Sequence, residues 1–256
     1  MEGYGPTSYG DGFADVYDEW YTGLDDTEVA AAVVGDLAWR SADDDHPPRV
    51  LELGVGTGRL AIPMAGRGLD VHGVDASAAM LERLRARDPH GRVSATTGDM
   101  VADQPEGPFD VVVVAYNTLF NLDSAERQAA CFAAVARRLR PGGAFVIEAF
   151  VPEVPPRDGA EIDLRSMTAT EVVLSVSTHD ASRQRAEGHF VHLADGAPVR
   201  LRPWSIRYAP PGELDAMAAA AGLILGERWA NFHRHPFTED SDRHVSVYTP
   251  ARPGGP

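Results

Sequence analysis

The chain has 256 residues, of which 44% are hydrophobic, and a formal net charge of −15 at pH 7. This size suits one α/β core with an elaboration. The longest apolar run, residues 216–226, has 11 residues, whereas a bilayer span needs about 20, so we expect no membrane segment. The chain begins without a basic or apolar leader, and the single cysteine, Cys131, excludes an intramolecular disulfide. A cytoplasmic location is therefore expected.

Most of the negative charge lies at the start of the chain. Residues 1–48 contain twelve acidic residues and one arginine, which gives −11 of the −15. An acidic protein is a poor match for a nucleic-acid substrate. The segment fits either a solvated surface or an acidic mouth that attracts a cationic amine. All 23 basic residues are arginine, which excludes a Schiff-base lysine and a phosphate-loop lysine.

Apolar periodicity and turn residues define the predicted elements of the first half. Residues 11–39 have helical spacing with a break at Gly23, and a polar linker runs from residue 43 to residue 48. Strands then alternate with helices. Ser77 is placed to cap one helix, and another runs through Leu139 before residues 140–143 stop it. The predicted strands are residues 50–53, 70–74, 93–97, 109–115 and 144–150. This alternation predicts a parallel sheet with helices on both faces.

The alternation of predicted strands and helices is interrupted after residue 150. Three β-like runs follow, at residues 170–177, 188–193 and 199–208, with a hairpin signal at Asp195–Gly196. We interpret them as an antiparallel insertion over the carboxyl edge of the sheet. A last helix around residues 214–221 then precedes strands 223–229 and 244–248, which we expect to pair antiparallel at one sheet edge.

The predicted fold class is α/β, with a Rossmann-like, seven-stranded, mostly parallel doubly wound sheet and an antiparallel β insertion over the active site. We divide the chain into four segments. These are an N-terminal helical lid (1–48), a cofactor-binding core (49–150), a β insertion that covers the substrate (151–209), and the last helix and strand pair (210–256).

A glycine turn follows the first predicted strand, as Gly54-Val55-Gly56-Thr57-Gly58. Glycine is used where backbone must approach a ligand closely, and in open α/β sheets the ligand lies at that edge. The dinucleotide pattern G-x-G-x-x-G would need glycine at position 59, which is Arg59. Glu52 would also repel a pyrophosphate. A carboxylate there suits the ammonium and sulfonium cations of S-adenosylmethionine.

Acidic residues follow the next two strands. Asp75 ends the second predicted strand and could accept hydrogen bonds from a ribose diol, at roughly 1.5–3 kcal/mol for each charge-assisted bond. Asp99, after the third strand, is placed to accept from an adenine amino group, and Met100 would cover the ring. Each acid alone is more simply a turn or cap residue. Acids at three successive strand ends beside a glycine turn favour a common ligand.

Together these motifs resemble the class I S-adenosylmethionine-dependent methyltransferases, over residues 49–150. The resemblance implies that the loop of Gly54, Gly56 and Gly58, with Glu52, holds the methionine part of the cofactor. It also implies that Asp75 binds the ribose, that Ala76 contacts the cofactor, that Asp99 and Met100 hold the adenine, and that Ala115 closes the pocket beside the reacting methyl group. The N-terminal Phe13–Asp18 resembles the lid of small-molecule members, in which Tyr17 lies over the cofactor. The matching segments are residues 50–58, 73–77, 98–100, 109–112 and 139–143.

The insertion resembles that of bacterial amino-sugar N-methyltransferases and related natural-product enzymes. This implies a small-molecule acceptor and bacterial secondary metabolism. The loop after the fourth strand, residues 116–122, lacks the histidine of that subgroup. Whether nitrogen, oxygen or carbon is methylated stays open.

Direct in-line transfer of the methyl group needs little from the protein beyond alignment of donor and acceptor, which lowers the activation barrier by roughly 7–11 kcal/mol. An amine must only arrive neutral, whereas a hydroxyl needs a base. Tyr17, Glu148 and His179 are the catalytic candidates, and Tyr116, Asn117 and His179 are the candidates for substrate contact. Further base candidates are His192, His233 and His235. The close pair His233 and His235 is poor evidence for a metal, and we predict none.

Two alternatives stay open. One is a protein that binds S-adenosylmethionine without methyl transfer, for a cyclisation or for regulation. The other, a nicotinamide dehydrogenase, is disfavoured by Arg59 and Glu52. The oligomeric state is also open, with a homodimer as one alternative.

Overall fold

The computed structural model describes residues 1–21, 26–42 and 46–251. The predicted helix break at Gly23 and part of the 43–48 linker lie outside these ranges. The helices are α1 (Ser8–Phe13), α2 (Tyr17–Trp20), α3 (Thr27–Trp39), α4 (Ala61–Gly66), α5 (Ala78–Arg87), α6 (Ala125–Ala136) and α7 (Pro211–Ala220). The strands are β1 (Arg49–Leu53), β2 (Asp70–Asp75), β3 (Val93–Thr97), β4 (Phe109–Val114), β5 (Leu139–Phe150), β6 (Gly159–Met167), β7 (Glu171–Asp180), β8 (Arg185–Ala194), β9 (Arg200–Arg207), β10 (Leu223–Trp229) and β11 (Arg243–Pro250).

Seven strands form the central sheet, in the order β10-β11-β5-β4-β1-β2-β3. The strands β1 to β5 pair parallel with their neighbours, and β11 pairs antiparallel with both β5 and β10. The predicted α/β class and antiparallel edge pair are confirmed. Because the chain moves outward from β1 in one direction and resumes on its other side at β4, the switch point lies between β1 and β4. Ligands of open α/β sheets bind at such a point.

Strand β4 is the centre of the core, and all six of its residues are buried. Successive side chains of β4 point to opposite faces of the sheet and pack in different layers of the core. Val111 and Val113 pack in a cluster with α3, whereas Val112 and Val114 pack in a second cluster with α6 and α7. Full burial of such side chains contributes roughly 1.5–3 kcal/mol each. This packing fixes the strand that ends beside the candidate site.

The insertion is a separate antiparallel sheet of four strands, in the order β6-β7-β8-β9. The sequence predicted three strands here and missed β6. This strand contains no buried residue and follows a proline-rich segment, so its sequence lacks the pattern of a strand. The sheet packs on the N-terminal helices: Phe190 meets the Phe13 ring edge-on at 5.8 Å, and Arg202 donates to Gly12 O and to Asp15. It therefore lies over elements that close the candidate site.

Three predicted boundaries were wrong. Helical spacing was expected from residue 11, but α1 begins at Ser8, and α1 and α2 both precede α3. The helix expected to reach Leu139 ends at Ala136, and the strand expected from residue 144 begins at Leu139. Both shifts arise because Leu139 pairs with Phe109 in the sheet. Ser77 caps α5 as predicted, since its Oγ accepts from the N–H of Met80. Among the described helices, none is long and apolar enough to cross a membrane.

Candidate active site

The glycine turn carries the chain from β1 to α4 at the carboxyl edge of the sheet. Gly54 and Gly56 have φ angles of +73° and +54°, in the left-handed region that other residues rarely adopt. A Cβ on Gly54 would lie 2.2 Å from Cγ2 of Thr118, whereas a Cβ on Gly56 would meet nothing within 4 Å. Gly54 thus permits close packing, and Gly56 leaves its backbone open to a ligand.

Asp75, the last residue of β2, faces this turn. Its Oδ2 accepts from the N–H of Gly56 at 2.8 Å, and its Oδ1 accepts from the N–H of Ser77 at 2.9 Å. Burial raises the pKa of Asp75, and the two hydrogen bonds oppose this shift. An ionised carboxylate offers about four lone-pair sites. Asp75 therefore retains acceptors for the hydroxyl groups of a ligand.

Asp99 follows β3 on the same edge of the sheet. Its Oδ1 accepts from the N–H groups of Val101 and Ala102, and its Oδ2 accepts from the Arg127 guanidinium. Partial burial raises the pKa of this carboxyl, but the backbone bonds and Arg127 outweigh it and hold the pKa below its usual range. Asp99 is therefore an ionised and firmly oriented acceptor.

A cavity of about 480 Å³ joins the glycine turn to these carboxylates. Its wall combines three parts of the chain: the N-terminal segment, the ends of β1 to β3, and the segment that leads into α6. The lining residues are Tyr4, Gly5, Pro6, Tyr9, Gly10, Tyr17, Gly54, Gly56, Val74, Asp75, Ala76, Met80, Asp99, Met100, Thr118, Asn121, Leu122, Asp123 and Arg127. A volume of this size holds a drug-sized ligand.

The N-terminal helices close this cavity and are fastened to its wall. Asp11 accepts from the hydroxyl of Ser77 at 2.6 Å. Asp18 accepts from the hydroxyl of Thr57 at 2.6 Å and from Arg87 at 2.7 Å. Thr57 belongs to the glycine turn and Ser77 follows Asp75, so the contacts join the cover directly to the ligand-facing loops.

Comparison with known proteins decides the family. Residues 50–143 match the family described as "Methyltransferase domain". The chain is 30% identical over 236 residues to the cypemycin N-terminal methyltransferase of a Streptomyces species, covering 88% of this chain and 94% of that protein. The structure of the CcbJ methyltransferase from Streptomyces caelestis superimposes with a TM-score of 0.89 at 40% identity, covering 97% of this chain and all of that one.

This chain belongs to the S-adenosylmethionine-dependent methyltransferases. The S-adenosylmethionine-bound structure of CalS10, an amino pentose methyltransferase from Micromonospora echinaspora, also aligns with a TM-score of 0.69 at 25% identity, over 91% of this chain and 96% of that one. The predicted enzyme class and cofactor are thereby confirmed. Neither the dehydrogenase alternative nor the alternative of binding without transfer finds support.

The cavity of the methyltransferase fits this cofactor. Seven of the ten predicted cofactor residues line it, namely Tyr17, Gly54, Gly56, Asp75, Ala76, Asp99 and Met100. Gly58 instead permits packing, since a Cβ there would lie 3.0 Å from Ile62 and Leu84. Ala115 lines a small neighbouring hollow with Arg59, Tyr116 and Glu148.

Glu52 lies two residues before the turn and is 5% exposed. Its carboxyl accepts from the N–H of Ala61, while Oε2 has no hydrogen-bond partner among the described residues. Burial raises the pKa of Glu52 to about 8, although Arg59 lowers it. An orphaned carboxyl oxygen beside the cofactor loop is consistent with a bound cation.

A cluster of tyrosines stands between this cavity and the insertion. The Tyr9 and Tyr21 hydroxyl oxygens lie 3.3 Å apart, and the Tyr21 ring lies 4.7 Å from that of Tyr17 and 5.5 Å from that of Tyr116. The Arg59 guanidinium lies 5.5 Å from the Tyr116 ring centre. Burial raises the pKa of Tyr17 beyond its usual range, although Arg59 lowers it. Tyr17 therefore stays protonated and can donate a hydrogen bond at physiological pH.

Glu148 and Asn117 brace the turn after β4. Tyr116 and Asn117 have φ angles of 50° and 65°, a conformation that costs roughly 1–2 kcal/mol per residue. The Glu148 carboxylate accepts from the N–H of Tyr116 at 2.9 Å, and the Asn117 side-chain oxygen accepts from the N–H of Phe150 at 2.7 Å. Burial raises the pKa of Glu148, and the bond from Tyr116 opposes it. The Glu148 and Asn117 side chains thus accept hydrogen bonds from backbone N–H groups, whereas the Tyr116 side chain belongs to the tyrosine cluster.

The histidine candidates lie elsewhere. His179, on β7, contacts the Ser177 hydroxyl at 3.1 Å and lines a surface hollow with Arg185, away from the cofactor cavity. His192 lies edge-on to Trp20, with ring centres 5.9 Å apart. His233 and His235 stack on each other in the loop between β10 and β11. Within the described ranges, no group of three His, Cys, Asp or Glu residues is arranged to hold a metal.

Sequence reasoning missed Tyr9 and Arg127. Tyr9 lies on α1, about one helical turn before Phe13, where the recognised lid motif begins. Arg127 occupies the first turn of α6, three residues after its Ser124 cap. The helix predicted to run through Leu139 corresponds to α6, but no sequence pattern indicated that the first turn of α6 faces Asp99.

Proposed function

We propose that this enzyme methylates an amine nitrogen of a small natural product. One observation carries the choice of nitrogen. The Glu148 carboxylate, the candidate base nearest Tyr116, is engaged by a backbone N–H, and the candidate base His179 lines a separate hollow. An amine needs no base once it arrives neutral, whereas a hydroxyl does.

The relatives support a natural-product acceptor. One is named for N-terminal methylation of cypemycin, and another acts on an amino pentose in calicheamicin biosynthesis. Both descriptions belong to those proteins. Both names refer to a molecule that carries an amine, and this chain covers nearly all of each relative's length.

In this proposal the tyrosine cluster forms the wall of the acceptor site. Residues 1–48 act as a lid, with Tyr17 over the cofactor, and residues 151–209 act as the acceptor cover. Bound S-adenosylmethionine supplies an activated methyl group. Tyr17 and Tyr116 exclude water and orient the acceptor nitrogen, so the protein contributes alignment in a dry site. A cytoplasmic location remains part of the proposal.

Paired acceptors test the choice of nitrogen. The full-length protein is incubated with S-adenosylmethionine and either an amino sugar or the matched sugar with a hydroxyl in place of the amine. We expect S-adenosylhomocysteine and a methylated product, measured by mass spectrometry, from the amine alone. The rate should rise as pH approaches the pKa of the acceptor amine. Methylation of the hydroxyl partner alone would refute the nitrogen assignment.

A binding control separates the cofactor from the acceptor. Asp75→Asn should lose most affinity for S-adenosylhomocysteine in calorimetry, whereas Tyr116→Phe should retain it. Equal binding by both variants would contradict the placement of the cofactor.

A further inference from the structure

Strand β6 contains a β-bulge at Arg165. Leu164 pairs with Leu174 of β7. The next pair joins Ser166 to Val173, so Arg165 between them has no cross-strand partner. In a bulge the extra residue is left unpaired, the strand bends and a side chain is re-aimed, and bulges are frequent beside active sites. The bulge therefore sets the direction that the Arg165 side chain takes from the insertion sheet.

The Arg165 side chain reaches three aromatic rings where the insertion meets the N-terminal helices. Its guanidinium carbon lies 4.9 Å from the ring centre of Trp20, 5.4 Å from that of Tyr21 and 4.8 Å from that of Phe190. Tyr21 belongs to the tyrosine cluster that forms the wall of the proposed acceptor site. A positive charge therefore lies beside that wall, on the side of the insertion.

This charge has no carboxylate partner. Among the residues that the structure describes, the Arg165 guanidinium makes neither a hydrogen bond nor an ion pair. Arg202 provides the contrast. Its guanidinium carbon lies 5.4 Å from the centre of the same Trp20 ring, but it donates two hydrogen bonds to Asp15. Arg200 also pairs with Asp15. The neighbouring arginines thus engage this carboxylate, and the charge of Arg165 stays uncompensated.

Contact with aromatic rings leaves the hydrogen-bonding edge of a guanidinium available. Stacking uses the face of the group, whereas its five N–H donors form a fork that matches a carboxylate with two parallel hydrogen bonds. The rings also hold the fork in place before a ligand arrives, so less conformational freedom is lost on binding. The field of the group already reaches the acceptor wall. Burial raises the pKa of Tyr116, and the charges of Arg59 and Arg165 oppose that rise.

We propose that Arg165 binds a carboxylate of the acceptor, so that the preferred substrate is of amino-acid type, with an amine and a carboxylate close together. This inference rests on the proposed function, which places the acceptor amine at the tyrosine cluster. An acceptor without the carboxylate would cover the guanidinium and leave it unpaired, and removing an unpaired charge from water costs free energy. Arg165 therefore determines specificity, while the alignment of the amine with the cofactor depends on other residues.

Binding of L-leucine and L-leucinamide to the S-adenosylhomocysteine complex of the full-length protein tests the proposal. The two probes have the same shape, and at about pH 6 both amines are protonated, so only the charge of the carboxyl group differs. In calorimetry we expect the wild type to bind leucine about tenfold to 100-fold more tightly than leucinamide. Arg165→Met should abolish this preference. Arg165→Lys should retain part of it, because lysine keeps the charge without the fork.

Arg183→Met is the matched control, because Arg183 lies on the same insertion with a side chain that is 77% exposed. It should keep the full preference for leucine. Circular dichroism and unchanged affinity for S-adenosylhomocysteine should show that all three variants are folded. Equal affinity of the wild type for both probes would overturn the proposal, as would a complex that binds neither. So would a preference for leucine that survives Arg165→Met. If Arg165 only fastened the insertion to the N-terminal helices, its replacement would weaken both probes equally, and that result would also overturn the proposal.

The position of the transferred methyl group keeps this inference separate from the proposed function. Each probe is incubated with S-adenosylmethionine, and mass spectrometry locates the added methyl group. A methyl group on the amine of leucinamide, formed by a wild type that binds both probes equally, would overturn the carboxylate contact and leave the choice of nitrogen intact. A methyl ester of leucine would overturn the choice of nitrogen, and with it this inference.

Discussion

We expect the buried Glu52 carboxyl to lower the stability of the ligand-free protein at neutral pH and to pair with the cofactor cation when the cofactor is bound. Burial raises the pKa of its carboxyl from 4.5 to about 8, and one oxygen lacks a partner among the described residues. Since the folded pKa lies above the unfolded pKa, the unfolded chain releases the proton first as pH rises. The stability contribution is complete below about pH 4.5 and is lost progressively up to pH 8. At pH 7, which is 2.5 pH units above the unfolded pKa of 4.5, the lost stability amounts to about 3 kcal/mol.

Glu52→Gln removes this titration and keeps the shape of the protonated side chain. We expect the ligand-free variant to be up to about 3 kcal/mol more stable than wild type at pH 7 and about equal to it near pH 4.5. S-adenosylmethionine should bind the variant more weakly, because its cation loses a carboxylate. Wild-type affinity should rise with pH up to about 8, as the carboxyl must release its proton to pair with the cofactor.

Urea denaturation of both proteins at several pH values measures the stability change, and calorimetry with S-adenosylmethionine measures the binding change. Glu82→Gln is the matched control, because Glu82 lies exposed on α5. It should change neither quantity. The reasoning fails if Glu52→Gln destabilises the protein equally at all pH values, or if cofactor affinity is the same in the variant and the wild type.

Three further outcomes are expected. Asp18→Asn should weaken the contact with Thr57 that holds the cover, and S-adenosylhomocysteine should dissociate about twofold to fivefold faster in stopped-flow measurements; an unchanged rate would argue against a restraining contact. Arg127→Met should lower cofactor affinity about tenfold in calorimetry, because Asp99 loses its charged donor. Arg127→Lys should restore part of that affinity. Equal losses of affinity in both variants would show that the positive charge beside Asp99 does not support cofactor binding. His244 is fully buried with its pKa lowered to about 4, so the unfolded chain binds a proton first as pH decreases. The contribution of His244 to stability should therefore fall by about 3 kcal/mol between pH 6.5 and pH 4, opposite in sign to that of Glu52. In urea denaturation the stability difference between wild type and His244→Phe should change by this amount over that range, and a constant difference would contradict the assignment.

Sequence alone predicts the sheet and the cofactor edge because both rest on local patterns. The run Val111–Val114 has the short length and β-branched composition of a strand buried on both faces, and the glycine turn follows β1 at the carboxyl edge. Asp75 and Asp99 reach one cavity because parallel strands end on the same side. These inferences need chain order and periodicity, without long-range side-chain detail.

The features that the sequence could not place depend on packing between distant segments. Alternation places His179 on one face of β7, but it does not say where the insertion sheet sits relative to the cofactor edge. Glu148 looks like a base by residue type, yet the strained turn at Tyr116 uses its carboxylate as a brace. Strand β6 was missed because its apolar residues, such as Leu164, face solvent, which periodicity cannot distinguish from a loop.

The acidic N-terminal segment has a role that composition did not indicate. Asp11 and Asp18 bond to the cofactor loops, and Asp15 bonds to Arg202 of the insertion. These carboxylates therefore join the cover to the core on one side and to the insertion on the other. Exposed pairs of this kind contribute roughly 0.2–1 kcal/mol each. We expect a cover held by several such contacts to be closed on average and to open without a large barrier, as cofactor exchange in every turnover requires.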